Sequence, residues 1–530
     1  MKNLIKKLTL VGLFVMANSV ANAQNINIPD ANFKTALIAA GVDTNSDGEI
    51  SQAEAAVVTE INVVGQLVSS LQGIEYFVNL QNLYCNNNDL TSLDVSNNTN
   101  LENLSCGYNL IENLDVSNNS NLQSLSCQNT ILTSLDVSNN PNLQSLDCNN
   151  SALETLNVSN NTNLFLLNCH HNILTSLDVS NNTNLDILNC SYNQITTLDV
   201  SNNPNLTNLD CSYNQLETLD VSNNPNLFSL NCGFNYGLET LDISNNPNLQ
   251  YLNCSFNQLT ALDVSNAVNL VGLVCIYTFL TNLDVSNNVN LQTLNCGYNS
   301  QLITLNLSQN INLKDLACNG NHLTNLDISN NVNLETLNCA SNQLTTLDIS
   351  DHLYLYNLDC RFNQLTTLDA SNNPFLSIML CSGNPPLSSL FIKNGVNKTF
   401  VINDVGYNFR NSPNLSYICV DDNQIADVQN YVTTNNIGNN PTITSDCLMA
   451  TQEIEKNKIS VYPNPVKDIL TINHSLAPLS FGEGLGVRKI YDISGKLIKT
   501  FNGNSVNVSA LQKGIYILKI DNQTIKFIKE

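Results

Sequence analysis

The chain has 530 residues, 42% of them hydrophobic and only 12% charged, with a formal net charge of −24 and no tryptophan. That length is too great for one ordinary core, so the chain divides either into domains or into repeats. Residues 25–450 hold six basic side chains against 37 acidic ones, a field that repels phosphate backbones and anionic membranes and excludes nucleic-acid partners.

The first 23 residues read as a signal peptide: Lys2, Lys6 and Lys7, the apolar run Leu8 to Met16, and an Ala21-Asn22-Ala23 cleavage site before Gln24. No stretch reaches the ~20 uninterrupted apolar residues a bilayer span needs, so no transmembrane segment is expected.

Residues 24–79 form the expected N-terminal cap. Within it, residues 43–54 read DTNSDGEISQAE, which fits the twelve-residue spacing D-x-[DN]-x-[DN]-G-x5-E. Asp43, Asn45 and Asp47 would offer side-chain oxygens, Glu49 a backbone carbonyl, Ser51 a water-mediated contact and Glu54 a bidentate carboxylate, the hard donors that Ca2+ requires. Gly48 supplies the turn, Ile50 faces the core, and the flanking apolar spacing predicts a helix on each side. The loop resembles EF-hand and dockerin-type loops; the plain alternative is a turn rich in Asp and Asn before a helix, without metal.

From residue 80 to about 395 the chain repeats itself. Fifteen of the seventeen cysteines, Cys85 through Cys381, recur at 21 residues, twice at 22, and such a period marks a solenoid whose units bury their apolar faces by stacking. The unit Leu80 to Asn100 contains one phrase twice, L-x-x-L-x-C-x-x-N then L-x-x-L-x-V-x-x-N. Leu83 and Cys85 point to one side of a short strand and Tyr84 to the other, and Leu93 and Val95 should repeat that across the core as a second strand. Asn88 and its equivalents, twelve Asn in fifteen coils, interrupted by Thr130, Ser151 and Thr278, sit where the chain turns and should form an internal asparagine ladder. The 22-residue coils place their extra residue near Gly237 and Ser300, in the turn.

The unit resembles the bacterial leucine-rich-repeat class called IRREKO, over residues 80 to about 390. The resemblance implies a ligand-binding scaffold without naming the ligand. Stacked cysteines point the same way at ~4.8 Å, too far apart for bridges and without a second metal ligand, so they read as small buried apolar residues.

Residues 396–450 form the expected C-terminal cap, where Cys419 and Cys447 would make a pinning disulfide. After a linker at 451–459, the tail from 460 shows four strand-like stretches that read as a small β-sandwich. Tyr462-Pro463-Asn464-Pro465, the Asp492–Lys496 phrase, Gly514-Ile515-Tyr516 and Lys529 resemble the type A C-terminal sorting domain of the type IX secretion system, which implies that machinery as a partner and a secreted or outer-surface location. Ser475 to Arg488 is a Gly-rich insertion without counterpart.

The expected fold is therefore a β-rich solenoid: a leucine-rich-repeat array of about fifteen short coils with parallel strands, a small helical EF-hand-like cap and a C-terminal β-sandwich. The five histidines are scattered and no catalytic motif is present, so the expected function is binding of a protein or polysaccharide, with a ligand-free surface spacer as the alternative. Two residues after each cysteine runs a column in which seven consecutive coils carry a ring: His171, Tyr192, Tyr213, Phe234, Phe256, Tyr277 and Tyr298. At ~4.8 Å per coil these rings would form a stripe of roughly 30 Å, offering flat faces to a ligand or packing only on one another.

Overall fold

The computed structural model describes residues 24–395, 406–447, 460–462, 466–473, 488–492, 496–501, 505–520 and 523–530. The signal peptide, the linker, Pro463-Asn464-Pro465, part of the C-terminal cap and the Gly-rich insertion up to residue 487 lie outside the described residues. The chain divides into two compact units, one of residues up to 390 with 394–417 and 427–441, the other of 391–393, 418–426 and 442 onward.

In the first unit each coil contributes one three-residue strand, Asn82–Tyr84 in coil 1 and Ile378–Leu380 in coil 15, to a parallel 17-stranded sheet in strict register. The register follows from the pattern: Leu83 pairs with Leu104 and Leu104 with Leu125, so every inward leucine stacks on another. Leu80, Leu83, Cys85, Leu90 and Val95 are fully buried and Leu93 nearly so, and this set recurs through all fifteen coils. Each such leucine contributes about 1.5–3 kcal/mol of transfer free energy, available only while the neighbouring coil is in place. The sheet starts before the expected boundary, since Glu60–Asn62 pairs with Asn82–Tyr84 inside the cap, and it ends beyond coil 15 with Tyr407–Asn408.

The second half of the coil departs from expectation. Strand structure there is confined to the ends of the array, Leu93–Asp94 with Leu114–Asp115 at one end and Thr367–Asp369 and Ser389–Phe391 at the other, with one bridge between Asp136 and Asn157. Asp94 Oδ1 accepts the Ser96 N–H at 3.0 Å, and Asp115 and Asp136 do the same with Ser117 and Ser138, a turn that follows the second apolar pair in coils with and without strand pairing there.

The asparagines form two ladders, one more than expected. In the first, Asn109 Nδ2 donates to the carbonyls of Cys85 (3.0 Å) and Cys106 (2.9 Å), and its Oδ1 accepts the Leu90 N–H at 3.0 Å. Thr130 and Thr278 keep part of this, each donating its hydroxyl to the preceding cysteine carbonyl. In the second ladder, Asn119 Nδ2 donates to Val95 O and Asn98 O at 3.0 and 2.8 Å, whereas its Oδ1 accepts nothing among the described residues. The 22-residue coils absorb their extra residue in the turn, where Leu238 N–H reaches Asn235 O and Leu302 N–H reaches Asn299 O, both at 2.8 Å.

At the N-terminal end helix α1, Ala31–Ala39, is capped by Asp30, which accepts from Asn32 N and Phe33 N and buries Phe33 and Leu37. The helix expected after the loop is a single turn, α2, Gln52–Ala55, because the chain leaves it at once to enter the strand Glu60–Asn62. At the other end helix α3, Ile425–Thr434, lays Val428 and Tyr431 inward, and the Tyr431 ring meets Phe409 edge-on at 5.0 Å.

In the second unit Cys419 and Cys447 are bonded, their Cα atoms 5.6 Å apart. Among the described residues the tail holds seven strands rather than four, because the first three expected stretches each contain two strands. Ser460–Tyr462, Ile469–Asn473 and Ser505–Asn507 make one antiparallel sheet, and Arg488–Asp492, Leu497–Phe501, Gly514–Ile520 and Gln523–Lys529 the other. Val466, Leu470, Ile490, Val506, Leu518 and Phe527 close a common core between them, which is the expected β-sandwich.

Candidate ligand-binding surface

The ring column owes its position to the first asparagine ladder. After each strand the chain turns so that the asparagine can enter the core, and the residue just before it is held in the left-handed region while its N–H reaches the next coil, as from Tyr192 to Ser212 O at 3.0 Å. His171, Tyr192, Tyr213, Phe234, Phe256, Tyr277 and Tyr298 all have φ between 51° and 59°. Elsewhere this column holds Asn87, Asn129, Asn150, Gly320 and Gly383, which tolerate such a backbone, together with Tyr108, Ser341 and Phe362.

The seven rings form one continuous stack. Successive centroids lie 4.0, 3.9, 3.9, 4.2, 4.8 and 4.4 Å apart from His171 to Tyr298, with interplanar angles of at most 29°. This geometry changes what the stripe offers. Inside the stack each ring's faces are covered by its neighbours, so solvent meets edges and hydroxyls; the flat faces expected from the column survive only at its two ends. The Tyr192 hydroxyl beside Tyr213 pushes that phenol up to about 12. An open groove of about 690 Å³ runs beside the N-terminal half, lined by His171, Tyr192, Tyr213, Gln215, Phe234 and Tyr236.

The stack is poorly explained as a device of folding. A bulky residue in the left-handed region costs about 1–2 kcal/mol, and a stacked pair returns about 0.5–1.5 kcal/mol, so the two roughly cancel. Coils carrying Asn87 or Asn150 fold to the same geometry without either term.

The other expected sites are placed as follows. Asp43 accepts from Asp47 N and Gly48 N, Asn45 Oδ1 from Asp47 N, and Asp47 Oδ1 from Glu49 N, which shapes the loop around its own acidic side chains. Glu54 reaches the start of the loop, where it accepts the Asn45 N–H at 3.3 Å. Its Oε1 accepts from Thr44 N and Oγ1 and its Oε2 from Ser51 N and Oγ, at 2.8–2.9 Å, closing a capping box on α2. These bonds, the Ser51 N–H first, hold its carboxyl down at about 2. The Glu49 side chain pairs with Lys34 at 2.6 Å. Among the described residues no three of His, Cys, Asp and Glu converge to hold a metal ion; the donor chemistry suits calcium, whereas the Glu54 geometry serves the cap.

All fifteen ladder cysteines are buried with free thiols, and burial pushes them up, Cys85 and Cys169 to about 12. The aspartate column is turn chemistry: hydrogen bonds from Ser96 and Ser117 hold Asp94 and Asp115 below the usual carboxylate range. Sequence reasoning passed over the edge of the sheet, where Phe165 and Phe228, each just before its strand, and Tyr251, within one, stand 39–46% exposed. The signal was available in the chemical variety of the two positions before the inward leucine.

Residues 460–530 match the family described as a secretion system C-terminal sorting domain. Among solved structures the chain is similar to the functional domain of InlJ from Listeria monocytogenes, which includes a cysteine ladder; the two are 29% identical with a TM-score of 0.58, covering 96% of this chain and 98% of that one. A leucine-rich-repeat protein of Leptospira interrogans shares the fold at 23% identity and a TM-score of 0.56, over 74% of this chain and 97% of its own. No curated protein matches the chain, and these likenesses point to no catalytic family. The chain is a leucine-rich-repeat solenoid that ends in a secretion-system sorting domain, and it is a secreted or cell-surface protein.

Proposed function

We propose that the protein is a recognition or adhesion module that holds a protein or polysaccharide ligand along its ring column and the adjoining sheet face, and that the type IX machinery delivers it through the C-terminal tail. One observation carries this: seven consecutive rings occupy a left-handed backbone conformation that coils with Asn87, Asn129 or Asn150 adopt without a ring. Strain kept without gain to the fold belongs at working surfaces, and a stripe of ring edges and phenol hydroxyls suits a partner with both apolar and hydrogen-bonding groups.

The test replaces Tyr192, Tyr213, Tyr277 and Tyr298 with Asn, the residue the column already accepts, and compares capture on glycan and purified surface-protein arrays. Loss of capture with an unchanged melting temperature supports recognition. Unchanged capture refutes it, and an array that neither protein labels favours the ligand-free spacer.

Two further readings stand beside it. Deleting residues 460–530 is expected to strand the chain short of the outer surface in a host with the type IX system, and normal display of the truncated protein would end that reading. A calcium role for Asp43, Asn45, Asp47, Glu49, Ser51 and Glu54 rests on the donor spacing. It predicts a calorimetric heat with millimolar Ca2+ that vanishes in Glu54→Gln, and no heat in the parent protein refutes it.

A further inference from the structure

The turn that leads each coil back to its strand carries a column of its own, which starts at Thr99 in coil 1. In coils 1 to 8 this column holds Thr, Ser or Pro, whereas in coils 9 to 13 it holds Val268, Val289, Ile311, Val332 and Leu353. All five are 43–54% exposed. They add nothing to the coil, since Asn119 beside Ser120 and Asn310 beside Ile311 make the same two ladder bonds at 2.8–3.0 Å. The next position is a row of exposed asparagines, in which Asn312 Nδ2 donates to Val289 O at 3.0 Å and Asn333 Nδ2 to Ile311 O at 3.1 Å. Tyr354 and Phe375 take that position in coils 13 and 14, carry no amide to continue the row, and stand 59% and 55% exposed. Two coils thus give up a hydrogen bond for a ring in water at the end of the aliphatic stripe.

Together these side chains make several hundred Å² of contiguous apolar surface, the size of patch that marks an interaction site, and with a polar rim it approaches the roughly 800 Å² per partner of a stable interface. It runs along the edge of the coil opposite the ring column, which stands in the turn that leaves the strand.

We infer that coils 9 to 13 pair with the same coils of a second copy of this chain, antiparallel about a two-fold axis near Ile311. The rise decides the occupant. The stripe repeats once per coil at ~4.8 Å, and a second solenoid of the same chain offers apolar side chains at that repeat over the same length. Turned end for end, Val289 of one copy comes opposite Val332 of the other, Val268 opposite Leu353, and Phe375 opposite Pro247, so one patch serves both copies, as an isologous contact requires. The charges beside the stripe agree with this pairing. No member of the stripe is charged, and the flanking aspartates Asp263, Asp284, Asp327 and Asp348 are interrupted by Asn306 at coil 11, where like charges would meet on the axis. On the other flank Lys314 and Glu335 neutralise each other at 3.1 Å. The remaining acidic excess of residues 25–450 opposes the contact at long range, so salt strengthens it. This surface is separate from the ring column and needs none of its residues.

Sedimentation of the mature full-length protein over a hundredfold range of concentration, at low and at high salt, tests the pairing. A dimer is expected whose dissociation constant falls as salt rises. Ile311→Asp sets two carboxylates on the axis and is expected to raise that constant at least tenfold with an unchanged melting temperature. Val289→Thr with Val332→Thr, the residue the column carries in other coils, is expected to raise it in the same direction and serves if the aspartate variant fails to fold. On oxidation Ile311→Cys is expected to bridge the two copies, and Val268→Cys is not, because its counterpart is Leu353; the ladder thiols are buried and do not compete. A monomer at every concentration overturns the pairing, as does a dimer that Ile311→Asp leaves intact or that salt dissociates. Bridging through Val268→Cys in place of Ile311→Cys overturns the antiparallel register. A monomer whose ligand capture on the arrays is lost in Ile311→Asp assigns the stripe to a foreign partner and overturns the second copy as its occupant.

Discussion

The two asparagine ladders look alike in sequence and should differ sharply in what they contribute. Asn214 and Asn203 are both buried, eleven positions apart in the same region of the array. Asn214 Nδ2 donates to Cys190 O at 3.0 Å and Cys211 O at 3.1 Å, and its Oδ1 accepts the buried Ile195 N–H at 3.0 Å. Removing it loses two hydrogen bonds to carbonyls that keep another donor, at about 1 kcal/mol each, and orphans a buried N–H at about 1–3 kcal/mol, so Asn214→Ala should cost about 3–5 kcal/mol. Asn203 also donates twice, to Val179 O at 3.1 Å and Asn182 O at 2.8 Å, but its Oδ1 accepts nothing among the described residues. Truncating it loses about 2 kcal/mol of bonds and relieves a buried unpaired oxygen worth about 1–3 kcal/mol, leaving a net change of about 1 kcal/mol or less. Coil 9 already makes that substitution naturally with Ala267, in line with the smaller figure.

A melting curve resolves this poorly, because each kcal/mol moves a chain of this size by only about 1 °C. Hydrogen exchange resolves it well, since repeat arrays open locally. In the mature protein, Asn214→Ala should speed exchange across coils 6 and 7 by about two orders of magnitude, and Asn203→Ala by less than one. Equal effects, or a larger one for Asn203→Ala, would falsify the assignment of energy to the accepting oxygen.

The remaining predictions concern protonation and redox state. The ladder thiols, buried and pushed to about 12 at Cys85 and Cys169, should resist iodoacetamide in the native protein at pH 8 and react fully in denaturant; native labelling of several would refute the sealed core. Because the Glu54 carboxyl is lowered from 4.5 to about 2, its contribution to the N-terminal cap is complete above pH 4.5 and is lost as pH falls toward 2. Exchange protection of residues 26–56 should follow that window and lose its pH dependence in Glu54→Gln; an identical profile in the variant would refute the linkage. Reduction of Cys419–Cys447 should raise exchange at Val420, whose N–H is held by Thr444 O at 3.0 Å, while coils 1 to 10 stay unchanged.

Much of this architecture was legible because a period of 21 residues leaves few ways to bury Leu83, Cys85 and Val95 together. The tail was legible for another reason: its phrases alternate at period two and break at turn residues, as antiparallel strands must. What escaped is instructive residue by residue. Leu177 and Val179 alternate as Leu93 and Val95 do, yet only the latter pair begins in a paired strand, and a pattern of apolar residues does not report which coils pair. The helix after the calcium-like loop was overextended because Ala55, Ala56, Val57 and Val58 suit a helix, whereas the tertiary demand for a strand at Glu60 ends it. Asn98 repeats as faithfully as Asn88, and only the coil geometry shows that it too faces inward.

The ring column shows where a periodic reading stops. Recurrence at 21 residues placed seven rings in line, and the rise of one coil set their spacing near stacking distance. Whether a ligand meets faces or edges depends on a torsion that period does not encode. With φ near 55° each side chain leans along the solenoid axis onto the next coil, so the rings cover one another and the array presents their rims. The flat surface that the column seemed to offer along its whole length is thereby withdrawn from five of the seven rings.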